Sequence, residues 1–371
     1  MKVLEVTNVD FALRQFILPL MRGIRERGHE AVGVCADGPL VERVRAEGLR
    51  VETVPMSRSL SPLAQWRAFT ALLALIRREK PDLVHAHMPI SGFLARVAAR
   101  AAGVPRIAYT CHGYLFNQPG PWWRRRLGVA MEWIGGRVTD VYFNVSAAEA
   151  EDARRMGLAR APVAIGNGRD PERFRPDAGA RARIRAELGT PPDRAVVVIV
   201  SRLVRAKGIP ELLAAVESVA GGGLDAELWV VGERLASDHD DSVEPDFAAS
   251  ALGPRLKRLG YREDVPAILA AADIFALPSH YEGLPMSIVE AMLAGLPVVA
   301  SDLRGVREQV VAGETGLLFP ARDVAALTAA LARLVADPAR RRAMGEAGRA
   351  RALECFDERR ILARTLDLLG L

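Results

Sequence analysis

Short apolar runs, each followed by a loop and a helical stretch, recur along this chain, and that alternation leaves few folds open. The clearest run is Ala195 to Val200, apolar throughout and rich in β-branched residues. Such a run reads as a strand covered on both faces. The chain opens in the same way, with a strand Lys2 to Val6, a helix from about Leu13 to Arg27 closed by Gly28, and a strand Glu30 to Cys35. Repeated strand–helix–strand units demand a parallel, doubly wound sheet, because the crossover between parallel strands returns along a helix.

The pattern continues through strands Leu49–Val54, Pro81–His87, Arg106–Thr110, Asp140–Asn144 and Val163–Ile165, with helices Pro62–Glu79 and Ser91–Ala102 and one starting at Ala147. Arg169 to Pro192, rich in Pro and Arg, reads as a passage between domains with a helix near Arg181 to Leu188. A second series follows: strands Ala195–Val200, Glu227–Val231, Asp273–Leu277, Val298–Ser301 and Gly316–Phe319, then helices Asp323–Val335, Pro338–Leu353 and Asp357–Leu369. At 371 residues there is room for two full cores. The expected division is 1–168 and 169–355, with a hinge near Gly166 to Arg169 and a last helix over 356–371.

Within the second series, Ile274 to Leu277 ends at Pro278-Ser279, and Tyr281-Glu282-Gly283-Leu284-Pro285-Met286-Ser287-Ile288-Val289-Glu290 follows. The spacing predicts a helix from about Pro285 to Ala294, stopped at Gly295 with Pro297 beyond. Backbone N–H groups from Gly283 to Ser287 then present a positive helix end at the carboxyl edge of the sheet, where ligands of open α/β sheets bind. Glu282 and Glu290, about two helical turns apart, can each accept hydrogen bonds from a vicinal diol. A nucleotide sugar offers two diols. The same spacing also fits a surface glutamate and a plain helix-dipole partner.

The block Pro-Ser-x-x-Glu-Gly-x-Pro…Glu-Ala-Met-x-x-Gly-x-Pro-Val-Val-Ala resembles the signature of retaining glycosyltransferases of family 4 (group 1). The resemblance implies the GT-B fold: two Rossmann-like, doubly wound parallel-sheet domains facing across a cleft. It places acceptor binding in domain 1–168, nucleotide-sugar binding in domain 169–355, and the 356–371 helix back on the first domain. It implies that Glu290 holds the ribose hydroxyls, that Glu282 contacts the donor sugar, and that Gly283, Leu284, Pro285 and Met286 complete the donor site. Members that assemble cell-surface polysaccharide are similar over Thr110 to Glu132, which points to a glycan or polyprenyl-linked acceptor. The first loop, Thr7 to Ala12, lacks the Gly-Gly turn of many members.

Four further groups matter. Arg202 and Lys207 flank the turn after Ala195–Val200, where a cationic pair can neutralise a pyrophosphate leaving group. His112, beside Gly113 at a strand end, fits a polar active-site group, and the resemblance places it near donor sugar or acceptor. His85 and His87 are expected to face opposite ways, with His87 the better pocket residue; His87 and Asn117 are acceptor-side candidates. Trp122-Trp123-Arg124-Arg125-Arg126 suits an anionic membrane surface, against a competing reading with the tryptophans in the core of a helix start.

Charge supports an acidic partner for the first half. Residues 1–170 hold 24 Lys+Arg and 16 Asp+Glu, a net of +8, whereas the remainder is −3. No basic stripe is interleaved with stacking aromatics, which argues against nucleic acid. No apolar run approaches a membrane span, and a strand at Met1–Leu4 leaves no room for a signal peptide. Three separated cysteines, Cys35, Cys111 and Cys355, suit a reducing compartment and form no zinc pattern. Asp238-His239-Asp240-Asp241 reads as a solvated loop, so no metal or other cofactor is expected.

The expectation is therefore a cytoplasmic hexosyltransferase using a UDP-sugar, peripheral on the inner face of the cell membrane. The alternative is a sugar-nucleotide 2-epimerase of the same fold. A dehydrogenase lacks its Gly-x-Gly-x-x-Gly, and a non-catalytic sensor would need a damaged site.

Overall fold

The computed structural model describes residues 1–56, 61–117, 120–234, 238 and 242–371. The chain forms two units, Met1–Gly166 with Arg359–Leu371, and Asn167–Glu358.

The first unit is built on a seven-stranded parallel sheet of β1 (Lys2–Val6), β2 (Glu30–Cys35), β3 (Arg50–Thr53), β4 (Leu83–His87), β5 (Arg106–Cys111), β6 (Val141–Asn144) and β7 (Pro162–Ala164), ordered β3-β2-β1-β4-β5-β6-β7. Order reverses between β1 and β4, so their carboxyl ends diverge and open a crevice. Side chains alternate across the sheet. Leu4, Val6, Val84 and Ala86 join one core with the helices Pro62–Glu79 and Pro89–Ala102. Val3, Leu83 and Ala108 join the other, which includes Met21, Ile24, Leu366 and Leu369. The last two lie on the terminal helix Glu358–Leu369, whose Asp367 accepts from Arg27 Nη1 at 2.7 Å.

The second unit holds a six-stranded sheet, with β8 (Ala195–Val200), β9 (Ala226–Val231), β10 (Leu256–Gly260), β11 (Ile274–Leu277), β12 (Val298–Ser301) and β13 (Gly316–Phe319) ordered β10-β9-β8-β11-β12-β13. The pairings within it are parallel. Helices cover both faces, which is why β8 can be apolar from end to end and buried almost throughout. Here the order reverses between β8 and β11, and the two loops that leave them carry Arg202–Lys207 and Ser279–Glu282. Both units are thus Rossmann-like sheets, as the strand–helix alternation required.

Candidate active site

In the second unit, the loops after β8 and β11 are fused by close backbone packing. Gly208 sits at φ 72°, and a methyl there would lie 2.0 Å from the Pro278 carbonyl oxygen. Only glycine accepts both that dihedral and that approach. The His280 N–H donates to the Ala206 carbonyl at 2.9 Å, locking the two loops in register.

This packing brings Lys207 to Glu282. Lys207 Nζ donates to Glu282 Oε1 at 2.6 Å, and Ser279 Oγ donates to the same oxygen at 2.6 Å. The helix Met286–Leu293 begins after Pro285, which stands at the N-cap rather than inside the first turn. Its first N–H groups have no intrahelical partner. Glu290 is nearly buried on that helix and takes Arg169 Nε at 2.6 Å. Gly283 and Leu284 are held from two sides. A methyl on Gly305 would meet the Gly283 carbonyl oxygen at 1.4 Å, and Asn167 Nδ2 approaches the Leu284 carbonyl at 3.5 Å.

Arg202 pairs with Asp238. The Asp238 carboxylate is buried, so this residue is no part of a solvated loop: the guanidinium draws it in and neutralises it. His239, Asp240 and Asp241 lie outside the described residues. Lys207 and Glu282 thus meet with Ser279, and Glu290 meets Arg169, two partners that the sequence reading did not single out. Arg169 is 121 positions from Glu290, and no local pattern signals their pairing.

The first unit carries a second polar centre at its own reversal point. Glu5, fully buried on β1, lies beside His85 on β4. His85 Nδ1 is 3.1 Å from Glu5 Oε1, and His87 Nε2 is 2.7 Å from Oε2. The expectation that His85 and His87 face opposite ways is wrong. Residues two apart on a strand share a face, their ring centroids are 4.1 Å apart, and the intervening Ala86 points the other way. Nor does His87 itself reach outward. It is buried, and its Nδ1 lies 3.2 Å from Nε2 of His112, which is partly exposed.

Burial alone would raise the Glu5 carboxyl, but the charge and hydrogen bonds of His85 and His87 bring it down to about 2. Burial, then the His85 charge, lowers His87 to about 4. His112 is held well below the usual histidine range by burial and by the His87 and His85 rings. His87 and His112 are therefore neutral at pH 7, and Glu5 is ionised. Among the described residues, Glu5, His85 and His87 bring their ligand atoms within 4.8 Å of one another, close enough to enclose a cation. Protons already bridge the carboxylate to both rings, so we read the trio as a hydrogen-bond chain. Phe16, on a stretch of π-helix at Leu13–Ile17, lies 6.0 Å from the His112 ring. Asn117 is exposed in a short 3₁₀ turn, Leu115–Asn117, after the His112 loop.

The tryptophan–arginine segment starts the helix Trp122–Arg137. Gly128, Glu132, Gly135 and Gly136 form its buried stripe. Glu132 anchors it, accepting from Arg96 Nη2 at 3.0 Å and from the hydroxyls of Tyr109 at 2.8 Å and Tyr142 at 2.9 Å. The reading that puts the tryptophans in the core is overturned, since Trp122 is 69% and Trp123 48% exposed. Arg126 stacks over Trp122 at 5.0 Å, Arg125 donates Nε to the Phe116 carbonyl, and Arg124 is half-buried. Further along, Trp133 and Ile134 are exposed as well. No described helix is long and apolar enough to cross a membrane.

Comparison with known proteins gives consistent matches. Residues 180–351 match the model "Glycosyl transferases group 1", and residues 12–168 match "Glycosyl transferase 4-like domain". The chain is 30% identical over 314 residues to the UDP-Gal:alpha-D-GlcNAc-diphosphoundecaprenol alpha-1,3-galactosyltransferase of Escherichia coli, spanning 82% of this chain and 79% of that enzyme. It is 35% identical over 288 residues to the GDP-mannose-dependent alpha-(1-6)-phosphatidylinositol monomannoside mannosyltransferase of Mycolicibacterium smegmatis, spanning 73% and 72%. Among solved structures, Anabaena HepE in complex with UDP and glucose superposes with a TM-score of 0.87 at 23% identity, covering 100% of this chain and 99% of that one. WaaG, a glycosyltransferase involved in lipopolysaccharide biosynthesis, gives a TM-score of 0.77 at 18% identity, covering 99% of each chain. These two likenesses show the GT-B fold.

Proposed function

The chain belongs to the group 1 glycosyl transferases, and on that premise we propose that it is a retaining hexosyltransferase whose donor is a UDP-sugar and whose acceptor is a polyprenyl-linked or other glycan of cell-surface polysaccharide assembly. The observation that carries this reading is the meeting of Lys207 with Glu282 at the β8–β11 reversal point, with Glu290 held by Arg169 on the helix that follows.

In this reading the helix start and Gly283 to Met286 cradle the donor, and Glu290 accepts from the ribose hydroxyls. Arg169 keeps the Glu290 carboxylate fixed for that task. Lys207 and Arg202 neutralise the diphosphate as it departs, when its negative charge is greatest. Their present carboxylate partners, Glu282 and Asp238, hold both cations in place until a ligand competes for them. Glu282 contacts the donor sugar. Retention follows a front-face path in which the leaving phosphate itself helps take the acceptor's proton. We assign the acceptor to the first unit, with His112 and Asn117. The exposed Trp122, Trp123 and their arginines support an anionic membrane surface as partner, and in this reading the enzyme works peripherally on the cytoplasmic face. No metal is required in this scheme, because two protein cations do the work of one; turnover lost in EDTA and restored by manganese would overturn that.

The two relatives are named for different nucleotides, so the base is the first thing to test. Calorimetric titration with UDP, GDP and NAD should show UDP binding that weakens at least about tenfold in Glu290→Ala, the loss of one charge-assisted hydrogen bond of about 1.5–3 kcal/mol. NAD binding, or UDP binding indifferent to Glu290, would refute the site. The epimerase alternative differs in product, since it would change the sugar with no acceptor present.

A further inference from the structure

We propose that Glu5 and His87 are positioning residues that fix the tautomer of His112, keeping its proton on Nε2 and leaving Nδ1 as a hydrogen-bond acceptor for a substrate hydroxyl. That the hydroxyl belongs to a substrate rests on the glycosyl-transfer reading; the tautomer does not.

The proton positions are set outward from the carboxylate. An ionised Glu5 has no proton to give, so both contacts to it must be donated by the rings. His87 Nε2, at 2.7 Å from Oε2, therefore carries a proton. A neutral imidazole carries only one, so His87 Nδ1 is bare and can only accept. The atom 3.2 Å from it, His112 Nε2, must be the donor. His112 is neutral too, which leaves its Nδ1 without a proton. His85 completes the set from the other side, its Nδ1 donating to Glu5 Oε1 at 3.1 Å and its Nε2 lying 2.8 Å from the Thr110 hydroxyl. Both inner rings donate to one buried carboxylate, and the direction of the chain is set there.

The consequence is chemical. A histidine fixed in this form can accept a hydrogen bond from a sugar hydroxyl, or draw on its proton, but cannot donate one. The opposite tautomer would do the reverse. Carboxylates elsewhere orient imidazoles by the same logic, and a wrong tautomer is a recognised way to lose rate with geometry intact. Here the carboxylate acts through an intervening ring, on a partner just past the end of the adjacent strand.

The test is a long-range imidazole ¹H–¹⁵N correlation spectrum of the uniformly labelled full-length chain, without ligand, from pH 6 to 8. His112 is expected as a single neutral Nε2–H tautomer with a protected Hε2 proton. In Glu5→Gln the side chain becomes a donor as well as an acceptor, His87 is no longer forced to point its proton inward, and the His112 Nε2–H signal should shift or give way to Nδ1–H. In His87→Phe the acceptor is gone, and the Hε2 proton should lose its protection. An Nδ1–H tautomer in the wild type overturns the inference. So does an Nε2–H signal unaltered in whichever of the two variants folds. Failure of the functional reading looks different: the expected tautomer in a chain that turns over no UDP-sugar.

Discussion

Lys207 shows how much a single cation is asked to do. Its ammonium is shared with Glu282, and the Ser279 hydroxyl supports the same carboxylate oxygen. In the proposed reaction, truncating it to alanine removes one donor to the departing diphosphate. The expected outcome is a fall in kcat of about 10²–10³-fold, the usual loss for one preorganised donor at developing charge, with the KM for the donor changed far less. Steady-state kinetics with UDP-sugar would show it, and an unimpaired Lys207→Ala would remove Lys207 from the mechanism. The buried groups of the first unit make a different claim, on stability. Glu5 and His87 both titrate lower in the folded chain than in the unfolded one. For either, the unfolded chain binds more protons across the interval, so stability rises with pH there. Urea melts should therefore weaken as pH falls from about 6.5 to about 4 because of His87, and again from about 4.5 to about 2 because of Glu5. His87→Phe should flatten the first decline and shrink the second, because it also removes one of the hydrogen bonds that hold the Glu5 carboxyl down.

At the scale of elements, the helix Trp122–Arg137 is the instructive case. Its inner stripe is almost all glycine, which lets it approach Arg96 and the backbone at Leu158 closely, and the Glu132 carboxylate supplies the polar anchor. Its outer face keeps large apolar rings in water beside arginines, the arrangement that the proposed anionic interface would use. The double substitution Trp122→Ala/Trp123→Ala should reduce co-sedimentation with vesicles containing anionic lipid at least about tenfold, given about 1.5–3 kcal/mol for burying one large apolar side chain. Unchanged sedimentation would count against this face. The segment was legible in sequence as a motif and as a candidate helix start, but not as a helix running to Arg137, because glycines are poor helix formers and its arginines break the apolar period. Strand β10, Leu256–Gly260, escaped for a related reason: it is an edge strand, only partly buried, and charged residues interrupt its apolar pattern.

At the scale of the molecule, the chain leaves its first unit at Gly166 and returns to it at Arg359. Leu366 and Leu369 are buried in the core of Met21 and Ile24, and Arg27 donates to both Asp367 and the Leu371 carbonyl at 2.7 Å. Removing residues 359–371 uncovers two leucines, a cost of about 3–6 kcal/mol. Hydrogen exchange should then speed up in β1 and β2 while β8 and β9 keep their protection. Equal protection across both sheets would mean the terminal helix contributes nothing to the first unit.

What the sequence determined by itself is local in origin. Apolar runs of four to six residues, glycine stops and helix periods need only a few neighbours to be read, so the two Rossmann-like series and the Glu282–Glu290 block emerge from the letters alone. The tertiary structure decided the partnerships: Glu5 with His85 across 80 positions, Arg169 with Glu290 across 121, Arg202 with Asp238 across 36. Each depends on which strands lie side by side and in what register, and on burial that forces a charge to find a partner. Neither is encoded in the few residues around any one of them.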